Sequence, residues 1–390
     1  MVTVITTILG YLLYFLLAGL TLISLVNLIT ALFSLKKEED YKDFFPRVSV
    51  IVRCWNDGSV VERCILNYLS QNYPKKDYEI IIIDDGSTDN TEQICQKYAK
   101  EGKIRYVKYP EHGQKAKRID DVINSYASGE IILETDVDAV LKSDYIAAMM
   151  KPYSDPQIAA ATSVVMGGNW YRNFLAKMRT IENFWWFCAS MYGRFKLTGQ
   201  GLLYGGSKSY RRSVWEAIGG HPTKTLVEDG EMAAVLIDRG YKIAIVKEPP
   251  VVQEEVETLS QYFSEQRRWI SGDFALAKEY SKELSRNIVN KYIMYANFAT
   301  DGVYLLSLPL LFIQPLFAIP LLIGLFSLWT GLAAFGARWL FYIYSIPFII
   351  VSPLLHIAIL LSIAKSKITG RKIEWTKVWH YPIELIWPTK

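Results

Sequence analysis

Hydrophobic and polar positions are unevenly distributed along this chain. Val2 to Leu35 carries no charged residue, and Val303 to Ala364 carries only Arg338. Lys36 to Asp301, between them, has the mixed composition of a folded domain. Apolar positions there follow two periods. Arg47–Val52 is a short β-branched run and predicts a buried parallel strand. Val61, Cys64, Ile65, Tyr68 and Leu69 then recur at helical spacing, and Asn72-Tyr73-Pro74 ends that helix. Further strands are predicted over Glu79–Ile83, Ile104–Lys108 and Glu130–Leu133. Helices are predicted around Ile94, Cys95, Tyr98 and Ala99, and around Ala116, Ile119, Ile123 and Tyr126. This alternation predicts an α/β fold with a mostly parallel sheet, helices on both faces, and ligands beyond the C-terminal strand ends.

The first apolar run exceeds the roughly 20 residues that cross a bilayer. It lacks the basic start and short core of a signal peptide, so residues 1–35 are expected to form an uncleaved transmembrane helix. Lys36 and Lys37 put its end in the cytoplasm, and with it the domain 46–272. Residues 273–302 are expected to form an interfacial linker helix. Two spans are expected within 303–364, divided near Gly336-Ala337-Arg338. The first runs from Val303 to about Trp329 and contains Pro309, Pro315 and Pro320; the second runs from Trp339 to about Ala364. A third span arises if the proline-rich part makes two short helices, but it would place the tail outside. That tail, 365–390, carries Lys365, Lys367, Arg371, Lys372 and Lys377 and is expected to be cytoplasmic. The plasma membrane is the expected location.

Composition narrows the classes. The 390 residues are 51% hydrophobic and 21% charged, which excludes a disordered chain, a collagen-like fibre and a purely soluble protein. A net charge of +4 without a Lys/Arg stripe sets nucleic acid aside. Cys54, Cys64, Cys95 and Cys188 form no CxxC pair and read as reduced thiols in a cytosolic domain. A transporter would need more spans and more intramembrane charge.

The candidate chemistry lies at the strand ends. Asp84-Asp85-Gly86-Ser87-Thr88-Asp89 follows the second strand, and Glu134-Thr135-Asp136-Val137-Asp138 follows the fourth. Two acidic clusters on one sheet edge repel unless a cation or donor lies between them. Asp136 and Asp138 share one side of a strand end and can grip one metal; oxygen ligands with open positions suit Mg²⁺ or Mn²⁺ bound jointly with a phosphate. A capped turn accounts for Thr88 and Asp89 but not for Asp136 and Asp138. The first strand is followed by Arg53-Cys54-Trp55-Asn56-Asp57-Gly58, which is no dinucleotide fingerprint, and the chain has no GxxxxGK[ST] phosphate loop.

In this order the pieces resemble family 2 glycosyltransferases of the GT-A fold: DDGSTD, then Asp136-x-Asp138, then Gly205-Gly206-Ser207 with Tyr210-Arg211-Arg212, then Val227-Glu228-Asp229, then Gln266-Arg267-Arg268-Trp269. His112-Gly113-Gln114-Lys115 resembles the family's Gly-x-Lys segment. The resemblance covers roughly Pro46 to Gly272, and its QxxRW points to relatives of cellulose, chitin, hyaluronan and poly-N-acetylglucosamine synthases and to lipid glycosyltransferases.

The resemblance implies an inverting transfer of a sugar from a nucleotide-sugar, UDP-sugar foremost, to an acceptor hydroxyl. Asp57 and Asp85 would contact the nucleotide, and Lys115 the nucleotide or its phosphates. Asp136 would face the ribose or the metal, and Asp138 would hold Mg²⁺ or Mn²⁺ on the diphosphate. Asp229, beside Glu228, would be the general base. Arg268 would fork the diphosphate, and Gln266, Arg267 and Trp269 would meet acceptor or donor, Trp269 by stacking. Taken alone, 266–269 reads equally well as an amphipathic helix on the membrane surface. Arg53-Cys54-Trp55-Asn56-Asp57 stands where many relatives have Pro-Ala-Tyr-Asn-Glu, and Arg118-Ile119-Asp120 where many have Ala-Leu-Asn.

The aromatic stretch Phe174–Phe195 is expected to be an interfacial helix under the spans, with acceptor contact second. His221 reads as structural; His356, within a span, reads equally as functional or as bonded to a neighbouring helix. The acceptor is either a polysaccharide extended processively or a lipid-linked acceptor taking one sugar. Membrane lipid is an expected partner, and a homo-oligomer could supply further helices. From another class, the chain would be a non-catalytic membrane scaffold keeping the fold.

Overall fold

The computed structural model describes residues 2–280, 288–369, 380 and 383–389. In chain order these are α1 (Val2–Phe33), β1 (Val48–Cys54), α2 (Val61–Leu69), β2 (Tyr78–Asp84), α3 (Thr91–Lys100), β3 (Arg105–Lys108), α4 (Lys115–Tyr126), β4 (Ile131–Asp136), α5 (Tyr145–Met150) and β5 (Ile158–Gly167). Then come α6 (Phe174–Asn183), a π-helical stretch Phe184–Tyr192, α7 (Gly193–Thr198), β6 (Ser207–Arg211), α8 (Arg212–Ile218), α9 (Glu228–Asp238), β7 (Lys242–Gln253) and α10 (Leu259–Glu279).

The strands form one seven-stranded sheet in the order β3-β2-β1-β4-β6-β5-β7. The first four expected strands are present, and β1 pairs in parallel with both β2 and β4. Antiparallel pairing of β6 with β4 and β5 makes the sheet mixed. Because β1 lies between β2 and β4, the chain leaves it in both directions, and that divergence opens a crevice at the strand ends. The sheet is buried on both faces. Val48, Val50 and Val52 pack towards α2, while Ile51 packs with Ile119 and Ile123 of α4. Continuous β-branched runs are what a two-sided burial requires.

Among the described residues, three helical segments are long and apolar enough to cross a membrane: Thr6–Phe33, Pro315–Ala334 and Leu340–Thr369. The expected span Val303–Trp329 is corrected here. Its first part belongs to a helix Ile288–Leu310, and the apolar segment restarts at Pro315. Pro315 has no N–H for the helical ladder, so the chain breaks there and begins again. The expected linker helix 273–302 is likewise shared between α10, which runs through Gly272 to Glu279, and the helix from Ile288. Arg371, Lys372 and Lys377 of the tail lie outside the described residues.

Polar side chains tie the helices together. Ser24 donates to the Pro320 carbonyl at 3.0 Å, Asn27 to Thr300 at 2.8 Å, and the Trp329 indole to Ser345 at 2.8 Å. The aromatic stretch packs under the spans: a Cβ on Gly331 would lie 2.8 Å from that of Ala189, and one on Gly193 would lie 2.1 Å from the Thr30 carbonyl oxygen. The sheet domain is thereby locked to the long apolar helices.

Candidate active site

β1 delivers the first group of polar residues. Asn56 has φ of 53°, a left-handed conformation that asparagine tolerates, and its side chain accepts from Thr88 N at 2.7 Å. The turn brings Asp57 back to accept from Trp55 N at 2.8 Å, and Trp55 stacks on His112 with ring centres 3.8 Å apart. Asp85 is fully buried among cations. It accepts from Arg53 at 2.7 Å and from Gly113 N at 3.2 Å, lies 2.7 Å from His112 Nδ1, and pairs with Arg118. Burial alone would raise its pKa, but Arg53 and Arg118 outweigh that and hold it below the usual range.

The centre of the site joins β4, β6 and α9. Lys115, at the start of α4, pairs with Glu228. Asp229 accepts from Gly205 N at 2.6 Å. Beneath them Lys208 is buried 3.4 Å from Glu134, which also bonds His221 at 2.9 Å. His221 bridges on to Asp120 at 2.5 Å, so both residues are structural supports. Glu228 and Asp229 are pushed apart electrostatically. Burial favours the neutral form of both, but Lys115 and Lys208 bring Glu228 well below the carboxylate range. Asp229 stays raised by burial and by the Glu228 charge beside it. Asp138 is raised to about 6, first by burial and then by Asp136, against the pull of His380. Asp136 accepts from Gln253 at 3.2 Å, and Asp138 from Glu254 N at 3.1 Å.

The membrane side carries a second charged group. Arg179, in α6, is 2% exposed and pairs with Glu182 at 2.7 Å, Glu255 at 3.2 Å and Glu265 at 3.4 Å. Its guanidinium also lies 5.3 Å from the Trp269 ring centre. Gln266 donates to Glu182 at 3.3 Å. His356, from the last span, lies 2.6 Å from Asp301, 3.6 Å from Glu182 and 3.1 Å from the Tyr262 hydroxyl.

All of this surrounds one cavity of about 1160 Å³. Asp57, Lys115, Asp136, Asp138, Glu228, Asp229, Gln266, Arg268 and Trp269 line it together. Two of the expected residues do not. Asp85 lies behind the wall, where it orients Arg53 and His112, which do line the cavity. Arg267 turns away and bonds Ser366 at 3.2 Å. The cavity continues between the long apolar helices, past Leu328, Phe348 and Leu360, and past Tyr304 of the helix Ile288–Leu310.

Residues 49–219 match the family described as Glycosyl transferase family 2. Over those residues, less than half of the chain, the sequence is similar to family 2 glycosyltransferases. A beta-monoglucosyldiacylglycerol synthase of Nostoc sp. is 26% identical over 277 residues, 69% of this chain and 58% of that protein. A poly-beta-1,6-N-acetyl-D-glucosamine synthase of Staphylococcus aureus is 28% identical over 250 residues, 62% of this chain and 58% of that one. The chain thus spans 58% of the length of either curated relative. Among solved structures, the mannosyltransferase PcManGT from Pyrobaculum calidifontis, in complex with GDP-Man and Mn²⁺, superposes with a TM-score of 0.53 at 19% identity. That match covers 82% of this chain and 96% of the other, and it shows the shared GT-A fold.

Several cavity residues were not anticipated from sequence. Asp273 lines the cavity one turn beyond Trp269, and burial followed by the Asp229 charge raises it to about 7. Arg179 and Glu182 carried a faint signal, an opposite-charge pair at i,i+3 within an aromatic helix. The carboxyl-terminal segment carried none. Ile386 bonds both ways with Gly168 and Trp170, and His380 reaches the cavity, with Nδ1 3.4 Å from Glu254 and 3.8 Å from Asp138. Among the described residues no group of three or more His, Cys, Asp or Glu closes a metal site by itself.

Proposed function

We propose that this protein is an inverting membrane glycosyltransferase that moves a sugar from a UDP-sugar to a hydroxyl of a lipid-linked acceptor at the cytoplasmic face. The observation that carries this reading is the single cavity shared by Asp57, Lys115, Asp136, Asp138, Asp229 and Arg268 and open between the spans. Its apolar membrane end suits a lipid better than a free sugar chain. The Nostoc relative, named for a glycolipid product, supports the same choice.

The nucleotide would lie along Trp55 and Asp57 at the end of β1. Lys115 and Arg268 would supply positive charge to the departing diphosphate, Arg268 as a bidentate fork. Asp136 and Asp138 fit a hard divalent cation, because burial and the Asp136 charge raise Asp138, and a shared positive charge would offset both. Mg²⁺ or Mn²⁺ held there would stabilise charge developing on the diphosphate. Asp229 would take the proton of the acceptor hydroxyl while the anomeric carbon is attacked opposite the leaving group, which inverts its configuration. Trp269, with Trp185 and Trp186 on the same cavity, offers ring faces to the acceptor. The same aromatic lining favours a second reading, processive extension of a polysaccharide.

Incubating the purified protein with a panel of radiolabelled nucleotide-sugars, Mn²⁺ and total lipid tests the choice. A single-sugar glycolipid is expected. A ladder of long polymer favours the second reading, and no product from any donor sinks both.

Acid inactivation is expected above the ordinary carboxylate range. Asp229 acts only when ionised, and its pKa is raised, so kcat/KM should fall as pH drops through that raised value. Lys115→Met removes a cation that stabilises the ionised forms of Glu228 and Asp229. The acid limb of its pH–rate profile should move further upward, and donor KM should rise. An unmoved limb would show that Lys115 does not act on the base.

A further inference from the structure

Among the charged side chains lining the cavity, Arg194 has a distinctive environment. It is 8% exposed, and among the described residues its guanidinium makes no hydrogen bond and no ion pair. Arg179, by contrast, is held by three carboxylates. Burial alone lowers the Arg194 pKa, to about 10, and no neighbouring acid offsets it. A buried cation without a counter-ion is costly, and an anion arriving from outside would relieve that cost.

Its position says which anion. Phe187, Ser190, Met191 and Arg194 line the cavity on one side of the aromatic stretch and α7, and Leu328 and Phe348 of the candidate membrane spans also line it, with Tyr304 of the helix Ile288–Leu310. Phe187 touches Tyr204 with ring centres 4.5 Å apart, and Tyr204 adjoins Gly205, which holds Asp229. Arg194 follows Phe187 by seven positions on one continuous helical run, π-helical as far as Tyr192. Arg194 therefore lines the same cavity as Asp229, further along the helical run from the ring contact that adjoins Gly205.

We infer that Arg194 is an anion receptor for the acceptor, which carries a phosphate on a lipid chain entering between the spans. The inference rests on the transferase reading for its orientation, since the acceptor's hydroxyl would reach Asp229 while its phosphate rests on Arg194. The guanidinium fork matches phosphate oxygens, and the apolar walls beyond it match an alkyl chain. A neutral glycerolipid would leave the cation unsatisfied.

The test uses the full chain in detergent with UDP and Mn²⁺ in excess, so that the donor's own phosphate contacts are filled. Decyl phosphate, decanol and inorganic phosphate are titrated against the fluorescence of Trp185 and Trp186, which line the cavity. Decyl phosphate should bind roughly 10- to 100-fold more tightly than decanol, and more tightly than inorganic phosphate. Arg194→Gln should abolish the preference over decanol, and Arg194→Lys should keep part of it. Arg194→Met should melt no lower than the wild type, because it removes a buried unpaired charge. Equal binding of decyl phosphate and decanol to the wild type would overturn the inference, whatever the variants do. So would a preference that survives Arg194→Gln, or a lower melting temperature for Arg194→Met, which would mark the arginine as structural. Inorganic phosphate binding as tightly as decyl phosphate would make the site one for free phosphate and overturn the lipid assignment. If no donor yields product yet the preference tracks Arg194, the transfer reading fails and the anion site stands.

Discussion

Asp229→Asn should lower kcat by ~10²–10⁴-fold, the range for loss of a positioned general base, with little change in donor KM. The variant keeps the shape of the side chain and an oxygen that can accept from Gly205 N, so the start of α9 should hold its place. What it loses is the negative charge and the capacity to take a proton. The position is suited to that capacity: burial and the Glu228 charge keep Asp229 above the usual carboxylate range, while Lys115 and Lys208 keep it from becoming permanently neutral. Steady-state kinetics with a defined acceptor, together with the melting temperature, checks the prediction. Unchanged kcat would remove Asp229 from the chemistry; Asp273, raised to about 7 on the same cavity, would be the base to examine next. Full function in both Asp229→Asn and Asp138→Ala would favour the non-catalytic scaffold.

Arg179→Met should be the most destabilising single change in the domain, by about 3–5 kcal/mol, the cost of stripping one partner from a buried ion pair. The substitution fills much of the same volume but leaves Glu182, Glu255 and Glu265 facing one another without their cation. The defect should depend on pH, and its sign follows from the carboxylates. Burial already raises Glu265 to about 7 and raises Glu255 as well, with Arg179 opposing both shifts. Without the arginine they rise further. A carboxyl whose folded pKa exceeds its unfolded value is destabilising when ionised, so the loss should be largest at pH 8 and shrink towards pH 5. Thermal unfolding in detergent at both pH values checks this. A variant as stable as the wild type at pH 8 would show that the carboxylates are solvated, and the buried ion-pair group around Arg179 would be wrong.

The two halves of the sheet differ in how much of them the sequence displays. β1, β2 and β4 are β-branched runs buried on both faces, and hydrophobic pattern finds such strands. β6 reads Ser-Lys-Ser-Tyr-Arg, which is polar at every position but Tyr210, yet it is an interior strand. Its polarity is satisfied by partners remote in sequence: Tyr145 on Ser207 at 2.7 Å, Tyr153 on Ser209 at 2.8 Å, and Glu134 on Lys208. β7 hides behind Pro249 and Pro250. They fit because β5 pairs Ser163 with Val246 and then Val165 with Val251, so the intervening residues loop out of the ladder.

The site shows the same division. Acidic motifs at strand ends were legible because a strand end fixes where a side chain points. Asp85 illustrates the limit: its motif marks it as important but does not distinguish touching a ligand from holding Arg53 and His112. Arg179, Glu255 and Asp301 belong to segments far apart in the chain, and only the packing of α6 against the last span brings their group together. The span boundary moved for a local reason, since a run of prolines leaves hydropathy untouched while interrupting the helix.

Calorimetric titration of the purified full chain with UDP, in the presence and absence of Mn²⁺, tests most directly whether carboxylates gathered at the strand ends hold the donor through a shared cation. Mn²⁺ should tighten UDP binding, and Asp138→Asn should abolish more than ~10-fold of that gain, as for loss of a metal-site contact. UDP affinity that is indifferent to Mn²⁺, or a gain left intact in Asp138→Asn, would contradict it.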